Sequence, residues 1–171
     1  MQCTIPVSLF NRGMLFQELA PAAVLFICAI GLALYGGLEP RKKLFAIAIL
    51  CVVGSATSAS AAMLALRSKI DINGGTATLH AGFWKAELPT AALVNAGATE
   101  QVSDSLRKRK NGMSSRGVNA GWFEDPNGKR VFALSAGRTP VLLTTNSGFS
   151  LVLDQSTADE IAQCVHSESS R

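Results

Sequence analysis

A run of four basic residues has the clearest chemical character in this sequence. Arg107, Lys108, Arg109 and Lys110 are consecutive, and Arg116 follows in a segment rich in Gly, Ser and Asn. Each basic residue gains about 1 kcal/mol beside an anionic lipid surface. The cluster predicts a site for an anionic headgroup or polymer. The alternative is a solvated loop that keeps the edge of a sheet soluble.

Other ligand chemistry is not indicated. Nucleic acid is not expected as a partner, because no aromatic residue interrupts the basic run and the charges beyond Leu66 nearly balance. His80 and His166 are the only histidines and have no metal-binding spacing, so no metal or other cofactor is expected. No nucleophile, base and oxyanion site assemble in the sequence. The chain is predicted not to be an enzyme; an unrecognised site in a concave face is the alternative.

Two apolar stretches precede the basic run. Residues 19–38 and 44–66 carry no charged side chain, and roughly 20 helical residues cross the hydrocarbon core of a bilayer. They predict a transmembrane hairpin over 19–66, behind a tail at 1–18, integral to a cytoplasmic membrane. Buried core helices are one alternative. A cleavable signal is another, because Arg41-Lys42-Lys43 precedes an apolar run and small residues.

Small residues recur every four positions in both stretches, a spacing that lets helices approach closely in lipid. The residues predicted to pack the two helices together are Ala29, Ala33, Gly37, Gly54, Ser58 and Ala62. Hydroxyl groups cluster near the end of the second stretch. They either bond back to the preceding helical turn or form the hydrophilic path of a small transport or channel accessory subunit.

The basic link between the stretches predicts the orientation. Arg41, Lys42 and Lys43 favour the cytoplasm, and they outweigh the dispersed Arg12, Arg67 and Lys69 by their density. The C-terminal domain is therefore expected outside the cytoplasm. The cysteines leave its redox compartment open. Cys3 lies in the tail and Cys28 and Cys51 in the apolar stretches, so Cys164 alone belongs to the domain and no disulfide is expected within it.

Residues 70–166 have the pattern of a small β domain, followed by a tail at 167–171. Turn residues at 73–75, 125–128 and 146–148 predict three hairpins. Residues 107–119 are predicted to be a mobile loop. A helix is predicted from Ser156 to His166, with Ala158, Ile161, Ala162 and Val165 on one face. The sum is about seven strands, mostly antiparallel, closed by a C-terminal helix.

The strand and turn motifs of this domain resemble the bacterial pleckstrin-homology-like family. The resemblance is carried by residues 79–84, 109–112, 117–123, 131–134, 140–145 and 148–151. It implies a curled antiparallel sheet with a helix in one open end. The fold class expected is therefore two transmembrane α-helices followed by a mainly-β PH-like domain. Phosphoinositide binding is not expected, because the first hairpin turn, Asn73-Gly74-Gly75, has only Lys69 as a nearby base.

These features together predict a function. The expected protein is a non-enzymatic binding or assembly module tethered at a membrane surface. Its partners would be the lipid bilayer in which it is integral and a protein, either a different one or a second copy of this chain.

Overall fold

The computed structural model describes residues 3–9, 12–34, 37, 39–94, 97–99, 102, 106–115 and 117–169. The chain divides into two compact units. Unit 1 comprises Met1–Phe10 and Leu64–Arg171, and unit 2 comprises Asn11–Met63. The N-terminal residues therefore belong to the same unit as the C-terminal domain.

Unit 2 is built from two helices. Helix α1 spans Arg12–Leu34, and helix α2 spans Pro40–Arg67 and ends inside unit 1. Proline suits the first position of α2 because its missing N–H has no partner there in any case. Of the predicted helix residues that follow Leu34, Gly37 lies beyond the end of α1, and Tyr35, Gly36 and Leu38 lie outside the described residues.

The expectation of two transmembrane helices is wrong. Within the described residues, one helical segment is long and apolar enough to cross a membrane: Pro40–Leu64, with 25 residues and a mean hydropathy of 2.0. Ala20–Leu34 is a shorter apolar segment. At a rise of 1.5 Å per residue it is roughly 22 Å long, less than the hydrocarbon thickness of about 30 Å.

The first sheet of unit 1 has four antiparallel strands in sequence order. They are β1 (Cys3–Pro6), β2 (Lys69–Asn73), β3 (Thr76–Ala81) and β4 (Trp84–Pro89). The predicted hairpin at 73–75 is confirmed by the pairing of β2 with β3. Alternate side chains of these two strands are buried, as a sheet with one covered face requires.

The second sheet has six strands between two helices. Its elements follow in the order α3 (Thr90–Val94), β5 (Gly97–Thr99), β6 (Lys108–Ser115), β7 (Val118–Glu124), β8 (Arg130–Ser135), β9 (Pro140–Thr144), β10 (Phe149–Asp154) and α4 (Gln155–Ser169). The spatial order is β5-β9-β10-β8-β7-β6. The predicted hairpins β7–β8 and β9–β10 are confirmed. Strand β10 lies between β8 and β9 and runs parallel to β8.

This architecture corrects the expected PH-like fold. Two sheets, of four and six strands, replace the single curled sheet of about seven mostly antiparallel strands. One extra strand, β1, lies in the predicted tail at 1–18. Another, β6, lies in the predicted mobile loop at 107–119. The parallel pairing of β8 with β10 follows no local turn signal, so hairpin motifs alone did not predict it.

The core of unit 1 draws on both sheets. The sheets approach each other where β3 meets β8 and β4 meets β7. One apolar cluster comprises Val102, Phe123, Val131, Ala133 and Val152. Burying one large apolar side chain contributes about 1.5–3 kcal/mol. The largest fully buried side chains are Phe123, Phe132, Leu9, Ile70, Ile72, Leu79, Leu134, Leu151, Leu153, Val118 and Val131.

A disulfide joins the two ends of unit 1. Cys3 in β1 is bonded to Cys164 in α4, across a sequence separation of 161 residues. Cys164 remains the one cysteine of residues 70–166, and its partner Cys3 lies in the predicted tail. The sequence does not predict this bond, because only the fold shows that β1 pairs with β2 and that α4 packs beside β1.

Candidate functional site

The basic run lies on an edge of the second sheet. Strand β6 is the last strand in the sheet order and pairs with β7 on one side. Arg107 directly precedes this strand, and the four side chains from Arg107 to Lys110 are exposed. The prediction of a mobile loop over 107–119 is wrong, because pairing with β7 makes most of it an ordered hairpin. Arg116 lies outside the described residues.

A β-bulge interrupts the basic strand. The register with β7 shifts between Arg109 and Asn111, so Lys110 is the extra residue. Bulges turn side chains away from the regular alternation of a strand. Here Lys110 Nζ lies 3.0 Å from Glu124 Oε2. An exposed ion pair of this kind contributes little stability, but it neutralises one of the four positive charges. Arg107, Lys108 and Arg109 carry the remaining positive charge of the basic edge.

A shallow depression of about 480 Å³ adjoins this edge. It is lined by Arg107, Lys108, Glu124, Asp125, Pro126 and Gly128. Asp125 holds the β7–β8 turn, because its Oδ1 accepts hydrogen bonds from the N–H groups of Asn127 (2.9 Å) and Lys129 (2.8 Å). An anion in the depression would meet two carboxylates. The basic edge itself, rather than the depression, therefore offers the favourable contact for an anion.

A larger cleft of about 1220 Å³ lies where β6, β7, β9 and α4 come together. Its described lining is uncharged and comprises Val102, Leu106, Ser114, Gly117, Asn119, Gly137, Thr139, Pro140, Val141 and Gln155. Ser114 Oγ donates to Asn119 Oδ1 at 2.7 Å, and Asn119 Nδ2 donates to the Gly117 carbonyl at 3.1 Å. The polar side chains on this rim therefore already have partners within the chain.

A buried carboxylate holds one wall of this cleft. Asp154, at the end of β10, accepts hydrogen bonds from Ser135 Oγ (2.6 Å), Ala136 N (2.9 Å) and Arg138 N (3.1 Å). The loop it holds connects β8 to β9 and crosses the end of β10. Buried carboxylates need such donors to offset the loss of hydration. Asp154 was not singled out in the sequence. The signal was an acid that ends a strand directly before a helix.

The two tryptophans have different environments. The Trp122 ring packs edge-on against Phe132 and Phe149, at centroid distances of 4.9 and 5.2 Å, and the Arg130 guanidinium lies 4.3 Å from its centroid. Trp84 Nε1 donates to Asn111 Oδ1 at 2.8 Å. This bond links β4 of the first sheet to β6 of the second. Trp122 thus packs within the sheet, and Trp84 ties the two sheets together beside the bulge.

The described histidine contacts are electrostatic. His80 Nε2 lies 3.9 Å from Asp71 Oδ2, and Lys69 Nζ lies 2.7 Å from the same oxygen. Burial opposes ionisation of Asp71, but hydrogen bonds from Lys69 and Thr4, with the charges of Lys69 and His80, outweigh it and lower the pKa of Asp71. Within the part of the chain that the structure describes, no three His, Cys, Asp or Glu side chains are grouped to hold a metal ion.

The six residues predicted to pack helices have varied positions. Ala29 and Gly54 are buried, Ala62 is exposed, and Gly37 lies beyond the end of α1. The Phe26 ring lies against Gly54, 3.2 Å from where a Cβ would stand. Ser58 Oγ donates to the Gly54 carbonyl at 2.9 Å, which is the back-bonding expected of these hydroxyls. Ala33 is exposed. A helix-packing role for this set remains a prediction.

Comparisons with known proteins return no match for this chain. No protein-family model, no curated protein and no solved structure is similar to it. The resemblance to bacterial PH-like domains therefore has no support beyond the sequence motifs.

Proposed function

We propose that this chain is a membrane-anchored binding module without catalytic activity, in which unit 2 holds unit 1 at a lipid surface. The surface of α2 carries this proposal. Its exposed apolar side chains include Leu44, Phe45 and Val52. Only 6% of its most apolar 18-residue stretch is buried. A core helix of a water-soluble protein would bury this surface. A bilayer is the solvent that favours exposing it.

The disulfide supports an extracytoplasmic unit 1. Disulfides persist in oxidising compartments and are rare in the cytosol, and Cys3–Cys164 closes the ends of this unit. The start of α2 points to the same orientation. Arg41 and Lys43 lie in its first turn, where positive charge is unfavourable to the helix dipole. Retention of basic residues on the cytoplasmic side accounts for their place there.

The basic edge is the proposed binding surface. Arg107, Lys108 and Arg109 are exposed beside the outer edge of β6, whose other side pairs with β7. An edge strand offers backbone hydrogen bonds to an added segment, and flanking side chains select its charge. The partner chemistry that fits this edge is anionic, either phosphate or carboxylate.

The larger cleft supports binding over catalysis. General acid–base catalysis needs a titratable group within hydrogen-bond reach of the substrate. The described residues that line the cleft carry no ionisable side chain, and the nearest buried carboxylate, Asp154, is fully engaged with the β8–β9 loop.

Thiol labelling in spheroplasts of a bacterial host tests anchorage and orientation together. Single cysteines replace Asn127 in unit 1 and Lys42 at the start of α2, each in a full chain with Cys28→Ser and Cys51→Ser. A membrane-impermeant maleimide is expected to label position 127 in intact spheroplasts and position 42 only after lysis. The reverse pattern would contradict the orientation. Labelling of both before lysis would contradict a membrane-crossing α2.

A further inference from the structure

Unit 1 exposes two large apolar side chains among its described residues. Leu66 is 84% exposed and Phe83 is 58% exposed. Leu66 lies in the last turn of α2, and Phe83 lies between β3 and β4. Scattered exposed apolar residues are ordinary on a protein surface. The exposure of these two side chains therefore indicates a binding role only if their position in the fold supports one.

The β3–β4 turn explains why Phe83 faces outward. Ala81 pairs with Trp84, so Gly82 and Phe83 form a two-residue turn, and Gly82 has a φ of +62°. Glycine at the first position of such a turn matches the type II′ arrangement that joins adjacent strands. The Phe83 ring lies edge-on to Trp84, with 6.3 Å between the centroids. The turn therefore presents an aromatic ring at its tip.

This turn packs directly against the end of the apolar helix. A Cβ on Gly82 would lie 2.9 Å from Leu64 Cδ2 and 3.2 Å from Leu64 Cα. Leu64 is also the last residue of the segment that is long and apolar enough to cross a membrane. Phe83 and Leu66 therefore lie at the level where the apolar surface of α2 ends, and Arg67 follows as the first charged residue.

We infer that Phe83 and Leu66 form a second contact with the bilayer, in its interfacial layer, that seats unit 1 on the lipid beside the end of α2. This inference rests on the proposed membrane anchorage. Aromatic side chains favour the level of the headgroups, and a basic residue such as Arg67 extends its charge toward the phosphates. The occupant is lipid, because Leu66 lies in α2 itself and Phe83 lies in the turn that packs against Leu64, the last residue of the apolar segment.

A second protein chain is a less suitable partner for these two side chains. Stable protein interfaces bury about 1,200–2,000 Å² in total, and two side chains at a turn and a helix end offer a small part of that area. Contact with a bilayer does not require an interface of that size, because the proposed insertion of α2 already keeps both side chains beside the lipid.

A fluorescent label at position 83 tests the inference. The full chain with Cys28→Ser, Cys51→Ser and Phe83→Cys is labelled with an environment-sensitive fluorophore and reconstituted into phosphatidylcholine–phosphatidylglycerol vesicles. Asn73→Cys is the matched control. It is exposed at the other end of the β2–β3 hairpin, roughly 20 Å away by the rise of β3. Flotation of the vesicles reports anchorage separately from seating.

The label at 83 is expected to shift its emission to shorter wavelength and to lose intensity in lipids brominated near the headgroup, with a smaller loss for bromines near the chain ends. The label at 73 should keep the same emission in all vesicles. Equal emission from both labels in a chain that floats would overturn the seating and leave anchorage intact. A chain that does not float would contradict the anchorage, and the seating with it. A shift to shorter wavelength without loss of intensity in brominated lipids, and lost on dilution of the protein into excess lipid, would assign position 83 to a contact with a second copy instead.

Discussion

Large apolar side chains are buried in unit 1 and exposed in unit 2. In unit 1, Leu79, Phe132 and Leu151 are completely buried, whereas in unit 2, Leu44 and Phe45 are 71% and 69% exposed. Removing apolar surface from water is worth about 25 cal/mol per Å², so the exposed side chains of unit 2 forgo a large stabilisation in water. The proposed anchorage accounts for the difference, because lipid around unit 2 would remove the cost of leaving these side chains exposed to water.

Polar groups show the same contrast. Thr57 and Ser58 on α2 both donate to the Gly54 carbonyl of their own helix, as a helix in lipid requires when no water is present. In unit 1 the buried Asp154 instead accepts hydrogen bonds from a distant segment, the loop at 135–138. Five measurements break or sharpen this comparison.

The largest expected difference is in the cost to stability of truncating a buried and an exposed apolar side chain. Phe132→Ala is expected to lower the free energy of unfolding of unit 1 by about 3–5 kcal/mol, because it leaves a cavity at a fully buried position. Leu44→Ala on α2 is expected to change it by less than about 0.5 kcal/mol. Urea unfolding of the full chain in mild detergent, followed by near-UV circular dichroism, measures both. Similar losses would show that unit 2 shares a packed core with unit 1.

Loss of the disulfide should come next. Cys3→Ser or Cys164→Ser is expected to cost about 2–5 kcal/mol, because the bond restricts a very long loop in the unfolded chain. Cys28→Ser, at an exposed free cysteine of unit 2, is the control. Reductant should lower the stability of the wild-type chain to that of Cys3→Ser. A wild-type chain indifferent to reductant would contradict the bond.

The basic edge should lose anion affinity on neutralisation. Changing Arg107, Lys108 and Arg109 to Gln removes about 1 kcal/mol for each residue, or roughly 100-fold in total. Short-chain phosphatidylglycerol titrated into the full chain in zwitterionic detergent measures this affinity. Lys129→Gln, in the β7–β8 turn, should bind nearly as the wild type does. If the triple variant binds phosphatidylglycerol as tightly as the wild type does, the basic residues only keep the sheet edge soluble.

The Asp154 carboxylate should matter less than the core but more than a surface charge. Asp154→Ala leaves the Ser135 hydroxyl and two backbone N–H groups without their acceptor, at a cost of about 2–3 kcal/mol. Asp154→Asn keeps one acceptor oxygen and should lose less. Equal losses for the two variants would argue against the hydrogen bonds, and thermal unfolding compares them directly.

Acid should produce the smallest effect. The pKa of Asp71 is lowered in the folded chain, so its contribution is complete above the unfolded-state pKa of about 3.9 and is lost as the pH falls below that value. Asp71→Asn should therefore flatten the acid limb of the stability profile and leave stability below that limb unchanged. If both proteins lose the same stability on acidification, carboxylates other than Asp71 cause that loss.

Local signals predicted much of unit 1. The hairpins β2–β3, β7–β8 and β9–β10 follow from turn residues that act over a few positions. Strand β1 has no such signal, because its partner β2 lies beyond the whole of unit 2. The parallel pair β8–β10 is likewise set by packing rather than by a turn. Pairings between distant segments were therefore the part that the sequence did not predict.

The candidate site shows the same division. Four consecutive basic residues identify the cluster from composition alone. Lys, Asn and Gly are depleted in strands, so the composition of this segment predicts a loop. Pairing with β7 makes it an edge strand. The hydrogen bonds of Asp154 depend on a loop that crosses β10, and no spacing in the sequence reveals that crossing.

Alkaline carbonate extraction of membranes that contain the full chain tests most directly whether unit 2 is dissolved in lipid. The chain is expected to stay in the membrane pellet after the wash and to enter solution only with detergent. Release by carbonate of a monodisperse chain that needs no detergent would contradict a membrane role for the exposed apolar surface of α2.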